Sequence, residues 1–130
     1  MSTQIIHTDK APAAIGPYSQ AVSVTLSPAS KVVFCSGQIG LDPATGNLRE
    51  GFDAQADQAI ANMQAVITAA GGTLGNIVKL TLFLTDFANF GVVNGKLETL
   101  LPKPYPARST VGVASLPKGA LFEIEAIVTI

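Results

Sequence analysis

The fold class this chain predicts is α+β, and three observations predict it. Apolar residues alternate at two-residue spacing in five segments, they recur at three- and four-residue spacing in two others, and the order is β-β-α-β-α-β-β. Two amphipathic helices are enough to cover one face of a mixed sheet. At 130 residues the chain makes a single domain, residues 1–130, with room for a proper core.

The elements follow in order. A short strand over Gln4 to His7 precedes a loop through Ala11-Pro12-Ala13, and Gly16-Pro17-Tyr18 turns the chain. Gln20 to Leu26 sets Val22, Val24 and Leu26 against Ser23 and Thr25. Ser27-Pro28-Ala29-Ser30 is a turn, and Lys31 to Gly37 reads as a buried strand through Val32, Val33, Phe34 and Cys35. Gly37, Gly40, Pro43 and Gly46 mark a loop. Phe52, Ala56, Ala59, Ile60, Met63, Val66, Ile67 and Ala70 then line one face of a long helix stopped by Gly71-Gly72. Ile77 to Thr85 returns to alternation, with Val78, Leu80, Leu82 and Leu84 together. Asp86 caps a second helix whose apolar face is Phe87, Phe90, Val93, Leu97 and Leu100, and Pro102, Pro104 and Pro106 end it.

The last segment reads as a hairpin. One arm carries Ala107, Ser109, Val111 and Val113 on one side and Arg108 and Thr110 on the other; the second carries Phe122, Ile124, Ala126 and Val128 against Glu123 and Glu125. Leu116-Pro117-Lys118-Gly119 is the turn between them. This pattern puts Ser23, Thr25, Lys79, Thr81, Arg108, Thr110, Glu123 and Glu125 on one polar sheet face, with Phe83 in its midst. A hairpin centred near Ser115 makes Arg108 and Glu123 direct neighbours; one centred within 116–119 offsets them by roughly 13 Å. Both registers fit the sequence.

Composition narrows the function. Charged residues are 13% against a usual quarter, hydrophobic ones 48%, and the mean hydropathy is +0.40. That much apolar surface is hard to hide in a small monomer, so a symmetric homo-oligomer is the expectation. Eight basic and nine acidic residues without a basic stripe argue against nucleic acid. No apolar run approaches a membrane-spanning length and no charged-then-apolar leader opens the sequence, so a soluble cytoplasmic protein is expected. The lone Cys35 forms no internal disulfide and reads as a core thiol.

Chemistry-bearing residues are few. Arg108, mid-strand, is suited to grip a carboxylate through two parallel hydrogen bonds, or to form a structural ion pair with Glu123 or Glu125. Glu123 is a candidate general base toward water if it lies near that arginine; otherwise it is a solvated strand residue. His7 is the sole histidine, which excludes a histidine pair within one subunit. No cluster has metal-ligand spacing, and Gly71-Gly72-Thr73-Leu74-Gly75 lacks the Gly-Lys-Ser/Thr ending of a phosphate loop.

Five ordered motifs go further: Gly16-Pro17-Tyr18-Ser19-Gln20-Ala21, Ser36-Gly37-Gln38-Ile39, Val92-Val93-Asn94, Pro106-Ala107-Arg108-Ser109, and Leu116-Pro117-Lys118 with Glu123-Ile124-Glu125-Ala126. Together they resemble the Rid family (reactive intermediate deaminase A, also called YjgF or L-PSP endoribonuclease) over essentially the whole chain. The resemblance implies a chorismate-mutase-like fold, a homotrimer with clefts between subunits, and no cofactor. It implies hydrolysis of 2-aminoacrylate/2-iminopropanoate and 2-aminocrotonate/2-iminobutanoate to 2-oxo acids and ammonia. Carried over by motif, Arg108 holds the substrate carboxylate and Glu123 positions or activates water. Tyr18, Ser36, Gly37 and Asn94 line the cleft, and the Thr110 backbone meets the substrate nitrogen. Many family members have cysteine where this chain has Thr110, which rules out a thiol role there, and Leu97 stands where an aromatic is common. Two other readings remain: an RNA-cleaving inhibitor of translation, and a non-catalytic carboxylate-binding or chaperone-like module.

Overall fold

The structure, a computed structural model, describes residues 2–130. In chain order the elements are β1 (Thr3–Ile6), β2 (Ala21–Ser27), β3 (Ser30–Cys35), β4 (Gln38–Ile39), α1 (Phe52–Ala69), β5 (Ile77–Leu84), α2 (Phe90–Leu100), β6 (Ala107–Gly112) and β7 (Phe122–Thr129). The sheet runs β1-β2-β3-β7-β5-β6, with the two-residue β4 also paired to β7. Every described pairing is antiparallel except β5 with β6, which is parallel because α2 carries the chain back between them. The α+β class and the mixed sheet stand as read.

Helix α1 buries the face its periodicity marks: Ala56, Ala59, Met63, Val66 and Ile67 are sealed against the sheet. Its end is a Schellman turn. Gly71 takes φ 95°, Gly71 N–H donates to the Thr68 carbonyl and Gly72 N–H to that of Ile67, each at 3.0 Å. Two buried amides on α1 do a job the periodicity does not reveal. Asn62 Nδ2 donates to the carbonyls of Ile39 (3.1 Å) and Leu41 (2.8 Å), and Gln55 Oε1 accepts from Leu121 N–H (2.9 Å). They satisfy backbone groups that would otherwise be buried without partners, and so tie the 36–41 segment and the start of β7 to the helix. Helix α2 begins later than its N-cap suggests. Asp86 Oδ1 accepts from Ala88 N–H (3.0 Å) and caps a 3₁₀ turn over Phe87–Asn89, which leaves Phe87 exposed; Leu100 is exposed too.

Three sequence expectations are corrected. The terminal hairpin does not exist, because β5 lies between β6 and β7 and pairs with both. The crossover through α2 lays β6 along one edge of β5, and β7 takes the other. Second, the side assigned to several residues is reversed. Leu80, Leu82 and Leu84 are buried beneath the helices, and Arg108 and Thr110 sit in register with Leu80 and Leu82, on that same side. Glu123 and Glu125 register with Phe83 and Thr81 on the opposite, uncovered face. In β2, Ser23 is buried on the helix side in register with Val33, while Val22 and Val24 share the open side with Phe34 and Val32. Third, the β5–β7 register shifts between Ile77 and Lys79, so Ile77 turns inward and Val78 is exposed, contrary to simple alternation.

Both helices therefore cover one face, and the other stays open. It carries Ile5, Phe34 and Val111, which are 65%, 50% and 40% exposed, beside Glu123 and Glu125.

Candidate active site

The residues named from sequence fall into two groups on opposite sides of the sheet. The backbones of residues 108 and 123 stand two strands apart and three residues along, about 14 Å. Within one chain Arg108 and Glu123 do not share a hollow.

The first group is built on β6 and α2. Pro106 leads into an extended strand, and the register with Leu80 aims Arg108 toward α2. Two residues one helical turn apart receive it: Asn94 Oδ1 accepts from Arg108 Nη1 at 2.8 Å, and the Phe90 ring lies 5.3 Å below the guanidinium carbon. Phe87 stacks on Phe90 with centroids 5.5 Å apart. The guanidinium is thus oriented with most of its donors uncommitted, as a carboxylate clamp requires. A cleft of about 420 Å³ opens beside it, lined by Leu80, Leu97, Tyr105 and Pro106 as well as Asn94 and Arg108. Thr110, two residues along the same side of β6, keeps a buried Oγ1 with no hydrogen-bond partner.

The second group lies on the open face. A cleft of about 700 Å³ is lined by Tyr18, Ser36, Gly37, Lys118, Glu123 and Glu125, with apolar walls from Pro12, Ile15, Ile39 and Leu41. Gly37 leaves room for the carboxyl: a Cβ there would lie 2.1 Å from Glu123 Oε2 and push that side chain aside. The two-residue pairing of β4 with β7 sets Ile39 opposite Glu123 and draws Gly37 alongside the carboxyl. Burial holds the Glu123 pKa above the ordinary 4.5, and the charge of Glu125 raises it further. The result is a half-buried carboxyl of enhanced basicity, suited to take a proton from water.

Ser36 and Tyr18 belong to this wall. Ser36 Oγ donates to the Ser19 carbonyl and its N–H donates to that of Gln20 (2.9 Å). Gln20 itself is buried: its Oε1 accepts from Thr8 N–H (2.7 Å) and its Nε2 donates to the carbonyls of Thr8 (3.0 Å) and Pro12 (2.8 Å). That side chain pins the 8–12 loop beside the cleft. Sequence reasoning missed Phe90, Gln20 and Asn62 as supports. Only Phe90 left a usable trace, its four-residue spacing from Asn94. Cys35 is a buried thiol pushed up to about 11 by desolvation, and the exposed His7 ring lies 3.1 Å from Asp9 Oδ1.

The fold and site define a class of one-sided α+β sheet domain, with an oriented guanidinium at the sheet's edge and a half-buried carboxyl on its open face. Within that class the chain belongs to the Rid family: the family profile described as Endoribonuclease L-PSP matches residues 8–130. It is 48% identical to a RutC family protein of Haemophilus influenzae over 98% of this chain and 97% of that one. It is 46% identical to the 2-iminobutanoate/2-iminopropanoate deaminase of Mus musculus, over 95% of this chain and 89% of the relative. The crystal structure of RidA from the Antarctic bacterium Psychrobacter sp. superposes with a TM-score of 0.89 at 50% identity, covering 98% of this chain and 99% of that one.

Proposed function

We propose that the protein is a cofactor-independent deaminase that hydrolyses 2-imino acids of three or four carbons, and their enamine tautomers, to 2-oxo acids and ammonia. The observations that carry this reading are an oriented, donor-rich Arg108 and, on the other face, a Glu123 whose pKa burial raises. The family's named deaminases support the chemistry. Arg108 holds the carboxylate and thereby fixes the imine carbon. Water adds its oxygen to that carbon while Glu123 takes the water proton, giving a tetrahedral aminoalcohol. That proton and then the hydroxyl proton pass to nitrogen, the carbon–nitrogen bond breaks, ammonia leaves and the former hydroxyl oxygen becomes the carbonyl. An imine carbon is already electrophilic, so orientation, charge complementarity and one base suffice. No cofactor is called upon.

In this reading the two clefts are halves of one site. Arg108, Asn94 and Thr110 of one subunit face Tyr18, Ser36, Gly37 and Glu123 of the next in a homotrimer, and the apolar open faces pack together at its centre. The exposed Ile5, Phe34 and Val111 on that face support such packing. We place the protein in the cytoplasm, where its substrates arise as dehydratase products. The test is pyruvate release from 2-aminoacrylate supplied continuously by a serine dehydratase, with mass in solution measured by light scattering. Unaccelerated release, or an Arg108→Ala variant as fast as the parent protein, overturns the assignment.

A further inference from the structure

The turn before β7 holds Lys118 at φ 58°, ψ 20°, the only described non-glycine residue with positive φ. It stands between Pro117 and a glycine, Gly119, itself at φ 71°. Such a conformation costs free energy that glycine would avoid, so a lysine held there points to its side chain as the reason. The side chain lines the Glu123 cleft, where the other charged lining residues are Asp42, Glu123 and Glu125. Asp42 is already paired, 3.3 Å from Arg49, and Lys118 makes no salt bridge or hydrogen bond through its side chain among the described residues. The cleft wall is otherwise acidic, and the substrate proposed above is an anion. An anion approaching Glu123 and Glu125 is repelled unless a cation offsets them.

Resting on the deaminase reading, we propose that Lys118 is the capture residue of this site: an exposed ammonium that draws anionic 2-imino acids past Glu123 and Glu125 before Arg108 clamps the carboxylate. Lys118 does not touch the reacting carbon; it acts on arrival, with KM as its signature. Its lack of an intramolecular partner leaves the full charge available to the incoming carboxylate.

The experiment compares Lys118→Gly, which removes the charge and relieves the backbone, with Lys118→Arg, which keeps the charge. At low ionic strength Lys118→Gly should raise KM roughly threefold to tenfold with kcat unchanged, lose most of the salt dependence of kcat/KM, and melt no lower than the parent. Lys118→Arg should restore KM. Calorimetric titration with 2-oxobutanoate, a stable product, should show the same loss and rescue of affinity without turnover. An unchanged KM and salt dependence in Lys118→Gly, or a fall in kcat alone, overturns the capture role while the deaminase reading stands. A parent protein that neither deaminates nor binds 2-oxobutanoate overturns both.

Discussion

Because Arg108 and Glu123 lie on opposite sides of the sheet, two impaired variants should repair each other. In Arg108→Ala the carboxylate loses its charge-assisted hydrogen bonds, worth ~1.5–3 kcal/mol, or ~10- to 150-fold in rate. In Glu123→Ala the general base is gone, a loss of ~100- to 10,000-fold. In the trimer proposed above, every boundary pairs the arginine of one chain with the glutamate of the next. Random reassociation of equal amounts therefore joins an intact arginine to an intact glutamate at about one boundary in four. Co-refolded from denaturant, the mixture should recover at least about a quarter of the parent's specific activity, above either variant refolded alone. The assay is dehydratase-coupled pyruvate release, with subunit mixing confirmed by native mass spectrometry of chains of different tag length. Were the two groups to act within one chain, every chain in the mixture would still lack one of them. A mixed population as slow as its components would refute the shared-boundary site.

Gly37→Ala places a methyl where Glu123 Oε2 now lies, so kcat should fall about 100-fold through a misplaced base, with near-native circular dichroism. Burial raises the Glu123 pKa above 4.5, so the folded chain keeps a proton that the unfolded chain has released; stability is lost as pH climbs from 4.5 through the raised value. Glu123→Gln should accordingly melt higher than the parent at pH 7 while losing activity, and a lower melting temperature would count against the buried-carboxyl account. The acid limb of kcat/KM should sit above the ordinary glutamate range and move down in Glu125→Gln, by less than the whole shift because burial is the larger cause. Asn62→Ala leaves the Ile39 and Leu41 carbonyls without their donor and should cost about 2–3 kcal/mol in urea unfolding.

The long helix was the most legible element, because five turns of apolar residues at helical spacing admit one reading and its glycine stop admits one geometry. Strand alternation said less than it seemed to. It shows which residues of one strand share a side, and Phe122 through Val128 kept theirs, but it does not say which side the helices cover. Arg108 and Glu123 were put on one face by carrying parity across a presumed hairpin. With β5 between the strands, parity runs through Leu80 to Ala126 for one and through Phe83 to Val111 for the other. Ser23 illustrates the same limit: a small polar residue fits beneath a helix as well as on a surface, and Val22 and Val24 suit an open face that another sheet can cover. The candidate site residues were named by motif, yet their supports stayed hidden, since Gln20 and Asn62 act through backbone carbonyls far along the chain.

The β5-α2-β6 crossover links this topology to the proposed chemistry. A plain hairpin with matched register would have set Arg108 against Glu123, and the two would have neutralised each other at contact distance. A guanidinium so paired has fewer donors for a substrate carboxylate, and a carboxylate so paired is a weaker base, because a nearby cation lowers its pKa. Placing β6 on the far edge of β5 turns Arg108 to the helix side, where a neutral amide and an aromatic ring orient it without consuming its charge. Glu123 keeps its raised pKa because it is half-buried and its charged neighbour on the strand is another carboxylate. In the trimer proposed above, assembly brings the two together with the substrate between them, the anion against the guanidinium and the iminium nitrogen in the field of the carboxylates. An Asn94→Asp substitution tests this directly. It converts the neutral support into an ion pair at the same 2.8 Å spacing, and it should raise KM for the imino acid at least tenfold while leaving the melting temperature within a few degrees. A KM unmoved by that charge would show that Arg108 does not meet the substrate carboxylate.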